Sequence, residues 1–331
     1  MDDTPVFHVL ALSGGGYRGL YTATVLAELE NALGRPLASH FDLICGTSVG
    51  GLLALGLANE VPATELQALF VDHGSRIFRP WFKRSLARQL LGFWGIAKHD
   101  AGGLRSVLTE RFQDTTIGEL KHRVLIPAVN YSTGRGQFFK TPHHPSFELD
   151  HRMPLVEAAL ATTAAPVYFP LSRNSRGVFA DGGLVGNAPG LFGLHEVRTF
   201  LAPNQNALVR VLAIGTMTIG ATVRGSASLD RGFGIWRGGL FDLVISAQES
   251  SVDYMLKQSL GENYFVIDDL ATPDQSRDIK KLDRVSTGST NTLRDRGVHA
   301  AQVAMGKPSF KPFRAHQAGA PTFFHGPRKN A

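Results

Sequence analysis

The chain has 331 residues, 43% hydrophobic and 19% charged, enough to bury a sizeable core and unlike a disordered polymer. No apolar run approaches the roughly 20 residues that a bilayer-spanning helix needs. A net charge of +6 favours anionic partners such as membrane surfaces or nucleotides, and a single cysteine, Cys45, excludes a disulfide within the chain.

The start, Met1-Asp2-Asp3, is acidic and lacks the basic n-region of a secretory signal, so a reducing, cytoplasmic location is expected. Val6 to Leu12 reads as a first buried strand. It runs into Ser13-Gly14-Gly15-Gly16-Tyr17-Arg18-Gly19 and then a helical pattern through Leu20, Val25, Leu26 and Leu29 that stops before Gly34 and Pro36. Leu43 to Cys45 is a second strand. It leads into Gly46-Thr47-Ser48-Val49-Gly50 and an Ala/Leu-rich helix from Leu52 to Ala58.

Glu65 to Val71 and Leu104 to Phe112 read as further helices, and Val124 to Asn130 and Gln137 to Phe139 as strands. Residues 76–98 contain no acidic side chain, and they interleave Arg and Lys with Phe, Trp, Ile and Leu. That mixture suits a membrane interface, a lid over an apolar channel, or a helical flap with a solvated basic edge. His143-His144 lies between prolines and reads as a loop; no metal-ligand spacing accompanies it.

Leu155 to Thr163 is a small-residue helix. Gly177 to Ala180 is a short strand that delivers Asp181-Gly182-Gly183. Val209 to Ile214 is a buried strand ending at Gly215-Thr216, residues 220–239 read as a Gly/Arg-rich loop, and Leu240 to Leu260 fits a long amphipathic helix. Tyr264 to Ile267 and Thr290 to Met305 supply a last strand and helix. The basic, Pro-containing tail, 306–331, is expected to lack regular structure. Strands alternating with helices predict one three-layer α/β/α domain over 1–305 with a mostly parallel sheet.

Gly14-Gly15-Gly16-Tyr17-Arg18-Gly19 satisfies the dinucleotide pattern G-x-G-x-x-G, but that reading needs an acidic residue at the end of the second strand. Asp42 stands at its start, so the fit is poor, and no Gly-Lys-Ser/Thr follows for a P-loop. The alternative use of the glycines is an oxyanion hole of exposed N–H groups. Gly46-Thr47-Ser48-Val49-Gly50 fits the G-x-S-x-G elbow, in which a serine is lifted out on a strained strand-to-helix turn between small neighbours. An ordinary N-cap serine is the bland alternative. Asp181 ends a strand before two glycines, where a plain Asp-Gly turn is the bland alternative. None of the histidines after Ser48 lies in a loop that the pattern singles out.

The three motifs in this order resemble the patatin-like phospholipases: a Gly-Gly-Gly-x-Arg-Gly loop, a Gly-x-Ser-x-Gly elbow and an Asp-Gly-Gly motif. Ala161 to Pro170 and Ile214-Gly215-Thr216 match supporting stretches of that family, and the resemblance covers roughly residues 6 to 270. It implies the patatin-like fold and a Ser48–Asp181 dyad without histidine that cleaves acyl esters of membrane phospholipids through an acyl-enzyme. Gly15 and Gly16, with Gly14, are the implied oxyanion hole. Arg18, Gly19, Gly46, Gly50, Gly182 and Gly183 support the motifs. No cofactor or metal is implied.

The start directly into strand one and the basic C-terminal region look like the cyclic-nucleotide-activated members of bacterial antiphage systems. That likeness implies a cyclic di- or trinucleotide activator, a phospholipid membrane surface as partner, peripheral association with the inner membrane and a homodimer or larger assembly. Basic residues of 76–88 or 210–237 are the expected nucleotide contacts. No nucleic-acid partner is expected. The alternatives are a constitutive lysophospholipase or esterase, and a nucleotide- or membrane-binding module with a vestigial site.

Overall fold

Five parallel strands form one side of a mixed sheet, and the glycine loop and the serine elbow lie at the C-terminal ends of two of them. The computed structural model describes residues 4–79, 97–203, 206–219 and 239–329. Most of the basic, aromatic stretch 76–98 and almost all of the Gly/Arg-rich stretch 220–239 lie outside the described residues. The eight strands are β1 (Val6–Leu12), β2 (Leu43–Gly46), β3 (Val124–Asn130), β4 (Arg135–Lys140), β5 (Ser172–Asn174), β6 (Gly177–Ala180), β7 (Leu208–Ile214) and β8 (Tyr264–Ile267). Their order is β5-β6-β3-β2-β1-β7-β8, with β4 paired to β3. The run β3-β2-β1-β7-β8 is parallel throughout; β4, β5 and β6 add antiparallel pairs at one side.

Val9, Leu10 and Leu12 of β1 are fully buried, as expected of a central parallel strand covered on both faces. One layer packs α1 (Gly19–Leu33), α2 (Val49–Ala58), α3 (Ala63–Ile77), α4 (Ala101–Phe112) and α5 (Leu155–Thr162) on the sheet. The opposite face, through Val9, Ala11, Leu43, Cys45 and Val211, is covered by α6 (Gly190–Glu196) and α7 (Gly239–Leu260). All ten residues of α2 are buried, which fits its Gly, Ala and Leu content and its position directly behind the elbow. The helices α8 (Pro273–Ile279) and α9 (Thr287–Gly306) complete this part of the chain, and α1 and α9 pack side by side.

The tail departs from its expected irregular form. After α9, a 3₁₀ turn (Pro308–Phe310) and a short helix α10 (Lys311–Ala315) bury Phe310 and Phe313 in the main core. These two rings turn a basic, proline-bearing stretch into a packed segment, because burying aromatic area outweighs the composition's bias toward solvent. From His316 to Lys329 the chain continues without helix or strand. His316 Nε2 lies 2.8 Å from Asp42 Oδ2, Ala318 N–H donates to Ser39 O at 2.9 Å, and Phe324 N–H donates to Pro142 O at 2.8 Å.

Three more elements escape the sequence pattern. The strand β5 reads Ser-Arg-Asn and offers no apolar signal; it forms by pairing with β6. Both α6 and α8 are seven-residue helices, too short for a clear period.

Candidate active site

The turn after β2 lifts Ser48 into φ +53°, an uncommon backbone region for a residue with a side chain. The turn closes only because its flanks lack side chains. A Cβ on Gly46 would lie 2.1 Å from Gly50 O, and one on Gly50 would lie 2.3 Å from Leu12 O. The elbow is pinned from outside as well. Ser48 N–H donates to Thr162 Oγ1 at 2.9 Å, that hydroxyl donates to Pro127 O at 2.6 Å, and Thr47 Oγ1 donates to Gly186 O at 2.8 Å.

Antiparallel β6 returns the chain beside β3 and sets Asp181 level with the elbow. Ser48 Oγ donates to Asp181 Oδ2 at 2.7 Å, while Asp181 Oδ1 accepts the Gly183 N–H at 2.6 Å. The loop is held from behind: Asp181 N–H donates to Ala164 O, and Gly182 N–H to Thr162 O. A Cβ on Gly182 would meet Pro127 O at 2.3 Å, so this glycine allows the loop to lie against β3. Asp181 is only 2% exposed. Burial raises its pKa to about 6, against the lowering effects of the Ser48 and Gly183 hydrogen bonds.

The glycine loop follows β1 on the other side of Ser48. A Cβ on Gly14 would lie 3.0 Å from Ser48 Cβ, so the loop and the hydroxyl are in close approach. Gly14 N–H is committed to Asn187 O at 3.2 Å, which leaves Gly15 and Gly16, of the three expected donors, without a backbone acceptor among the described residues. Gly16 takes φ +58°, and its neighbour Tyr17 donates its N–H to Leu282 O at 2.7 Å. Gly19, at the start of α1, packs against Val49, where a Cβ would meet its methyl carbon at 2.6 Å. Arg18 lies beneath the loop: Nη1 donates to Met217 O at 3.3 Å, and its buried Nε has no partner among the described residues.

Ser48, Asp181 and Gly14–Gly16 open into one cavity of about 720 Å³. Leu69, Phe70, Ile77, Phe78, Leu104 and Val107 give it an apolar wall suited to an acyl chain. No histidine is among the described residues lining it, and no group of His, Cys, Asp and Glu among the described residues is arranged to hold a metal. His143 instead sits in a buried contact with Glu196 at 3.1 Å. Of the expected nucleotide-contacting cations, Arg76 is paired with Glu110 at 2.7 Å, and Arg210 donates to Asn263 Oδ1 at 3.2 Å. Arg79 is exposed, and the other basic residues of 76–88 and 210–237 lie outside the described residues.

The family model for patatin-like phospholipase matches residues 10–191, a span that holds the glycine loop, the elbow and Asp181. The chain belongs to the patatin-like phospholipase family. It is therefore a carboxylic ester hydrolase by family, with the patatin fold. Among curated relatives of this patatin-like phospholipase, one from Pseudomonas aeruginosa, called "cGAMP-activated phospholipase", is 80% identical over 100% of this chain and 98% of its own length. One from Escherichia coli with the same name is 38% identical, covering 91% of this chain and 90% of that protein. A second Escherichia coli relative, "cUMP-AMP-activated phospholipase", is 28% identical, covering 63% of this chain and 64% of that protein.

Sequence reasoning missed Asn187, which grips the glycine loop, and the buried His99–Asp283 contact of 2.6 Å behind Phe78 and Phe169. Asn187 carried a faint signal, being the one amide on the loop that begins at Asp181. His99 and Asp283 carried none, because their sequence separation hides the pairing.

Proposed function

We propose that this patatin-like phospholipase hydrolyses acyl esters of membrane phospholipids through a Ser48–Asp181 dyad, and that a cyclic oligonucleotide switches it on in antiphage defence. The observation that carries the reading is the 2.7 Å hydrogen bond from Ser48 Oγ to Asp181 Oδ2 at the head of an apolar cavity. Asp181 takes the Ser48 proton as the oxygen attacks the ester carbonyl. The N–H groups of Gly15 and Gly16 receive the oxyanion, and one such donor is worth about 3 kcal/mol of transition-state stabilisation. The proton then passes to the leaving alcohol, and water, deprotonated by the same carboxylate, releases the fatty acid.

The nucleotide part rests on the names of the curated relatives, which are called cGAMP- or cUMP-AMP-activated. The membrane part rests on the rim of the cavity. Leu243 and Leu270 line it and are exposed, the latter 68%, and Val167, 66% exposed, stands beside the lining residue Tyr168. Val167 also holds φ +73°, a strained conformation for a β-branched residue, which presents its side chain to the outside. No helix among the described residues is long and apolar enough to cross a membrane, which suits peripheral docking on the inner membrane. In this reading residues 1–305 form the acyl-hydrolase domain, with 306–331 strapped to it, and the active form is a dimer or larger.

The test is fatty-acid release from phospholipid vesicles, with and without a panel of cyclic di- and trinucleotides, using Ser48→Ala as the blank. Release that needs one nucleotide and Ser48 supports the whole reading. Release without nucleotide removes the gating, and release by Ser48→Ala overturns the dyad.

A further inference from the structure

Asp181 and Asn187 flank one short helical turn, Gly183–Gly186, and their side chains point to different parts of the same reaction centre. Asp181 meets Ser48; Asn187 meets Gly14. The grip on Gly14 is double. Its N–H donates to Asn187 O at 3.2 Å, and its carbonyl accepts from Asn187 Nδ2 at 3.0 Å. Thr216 Oγ1 adds a second donor to that carbonyl at 3.3 Å. A trans peptide is planar, with its C=O and the following N–H pointing in opposite directions. Fixing the Gly14 carbonyl on Asn187 and Thr216 therefore turns the Gly15 N–H to the opposite side of the loop.

The amide's orientation is set by its surroundings. Asn187 Nδ2 lies 3.0 Å from a carbonyl oxygen and 2.6 Å from Glu249 Oε1, so it must present its NH₂ group to both. Asn187 is 2% exposed, and a buried amide held by two acceptors does not swing freely. Nor can the glycine loop relax around it. A Cβ on Gly14 would meet Asn187 Oδ1 at 2.3 Å, and one on Gly15 would meet Thr216 Oγ1 at 2.3 Å.

We infer that Asn187 is a positioning residue that orients the Gly14–Gly15 peptide as an oxyanion donor, backed by Glu249 of α7. The inference rests on the Ser48–Asp181 reading. It makes the segment 181–187 the common carrier of the base and of the clamp on the hole, so nucleophile and oxyanion site stay in register with one another. It also gives α7 a direct line to the hole, since Glu249 lies within that helix.

The test compares Asn187→Asp and Asn187→Ala with Ser48→Ala, under whichever nucleotide condition gives the parent protein its activity. Asn187→Asp keeps the side-chain volume but has no donor for the Gly14 carbonyl. We expect kcat to fall by about 100-fold in both variants, the order seen on losing one oxyanion donor. KM for a soluble ester stays within about threefold, because ground-state binding does not use the hole. The rate of fluorophosphonate labelling of Ser48 falls in parallel with kcat/KM. Thr216→Val, which removes the weaker donor, gives a smaller loss in the same direction and serves if the Asn187 variants do not fold. Asn187→Asp with kcat within threefold of the parent, while Ser48→Ala is inactive, overturns the inference and leaves the dyad intact. Loss of kcat together with KM and melting temperature also overturns it, since that pattern is a merely structural effect. Activity in Ser48→Ala is a different failure, that of the underlying reading.

Discussion

Ser48 and Asp181 are 133 positions apart in the chain and joined by one hydrogen bond of 2.7 Å, with no histidine between them. In the proposed dyad the carboxylate must be ionised to take the proton, and its environment resists ionisation. Burial raises its pKa to about 6, so kcat/KM should be flat at neutral pH and decline as the pH falls below about 6. A pH–rate profile on a soluble ester checks this. A profile that stays flat to pH 4 contradicts it.

The same burial has a consequence for stability. A carboxyl whose folded pKa is raised from 3.8 to about 6 contributes stability that is full below the unfolded value and lost as the pH rises through about 6. Asp181→Asn should thus abolish hydrolysis while stabilising the fold at pH 8 by up to about 3 kcal/mol. Thermal melting at pH 8 and pH 4 separates the two: the gain should be present at pH 8 and shrink at pH 4.

Gly46 and Gly50 leave no room for a methyl group. Gly46→Ala places a Cβ 2.1 Å from a backbone oxygen, where no flexible side chain can yield. The expected cost is at least about 3 kcal/mol, with loss of activity, because relief requires the elbow to open. Urea denaturation of Gly46→Ala reads the cost. A variant as stable as the parent would mean that the elbow is less tightly closed than the structure has it.

Behind the cavity, Asp283 Oδ2 lies 2.6 Å from His99 Nε2 and is also paired with Lys98. Burial opposes ionisation of Asp283, but the hydrogen bonds and charges of His99 and Lys98 together outweigh it and hold the pKa at about 2. Because the folded value is depressed, the contribution is present above the unfolded value of 3.8 and lost as the pH falls toward 2. Asp283→Asn should cost about 2 kcal/mol at pH 7, the range of a charged hydrogen bond, and much less near pH 2. Denaturation midpoints at the two pH values decide the matter.

For the rim, charge should undo docking and spare chemistry. Val167→Asp should lower fatty-acid release from vesicles by about tenfold or more, since burying a carboxylate in the membrane interface is unfavourable. Hydrolysis of a soluble short-chain ester should stay within about twofold. Equal losses on both substrates would mean that Val167 serves the site and not the surface.

The parts of the site that were legible in the sequence are those whose geometry is local. A strained turn that needs glycines at fixed offsets writes itself as Gly46-Thr47-Ser48-Val49-Gly50, and a side-chain-free loop after a strand writes itself as Gly14-Gly15-Gly16. Asp181 became readable only in the company of the other two motifs. Asn187 and Glu249 were not legible, and Thr216 was legible only as the end of a strand, because each acts through a contact with the Gly14 loop or with Asn187 across a long stretch of chain. In the fold, the buried strands β1, β2, β3 and β7 announced themselves by apolar runs. The edge strand β5 did not, since pairing and not burial makes it a strand. The tail misled because its charges and prolines are conspicuous, whereas the two rings that fix it, Phe310 and Phe313, are few.

Those two rings carry one more implication. A product that stops before residue 308 lacks part of its own core, and each missing ring leaves a hole worth roughly 3 kcal/mol or more. Such a fragment still contains Ser48, Asp181 and the glycine loop, yet it lacks the packing that holds them in place. Premature termination or C-terminal nicking should accordingly yield a substrate for cellular proteases and not a runaway hydrolase, so that the last packed segment is itself a condition for activity.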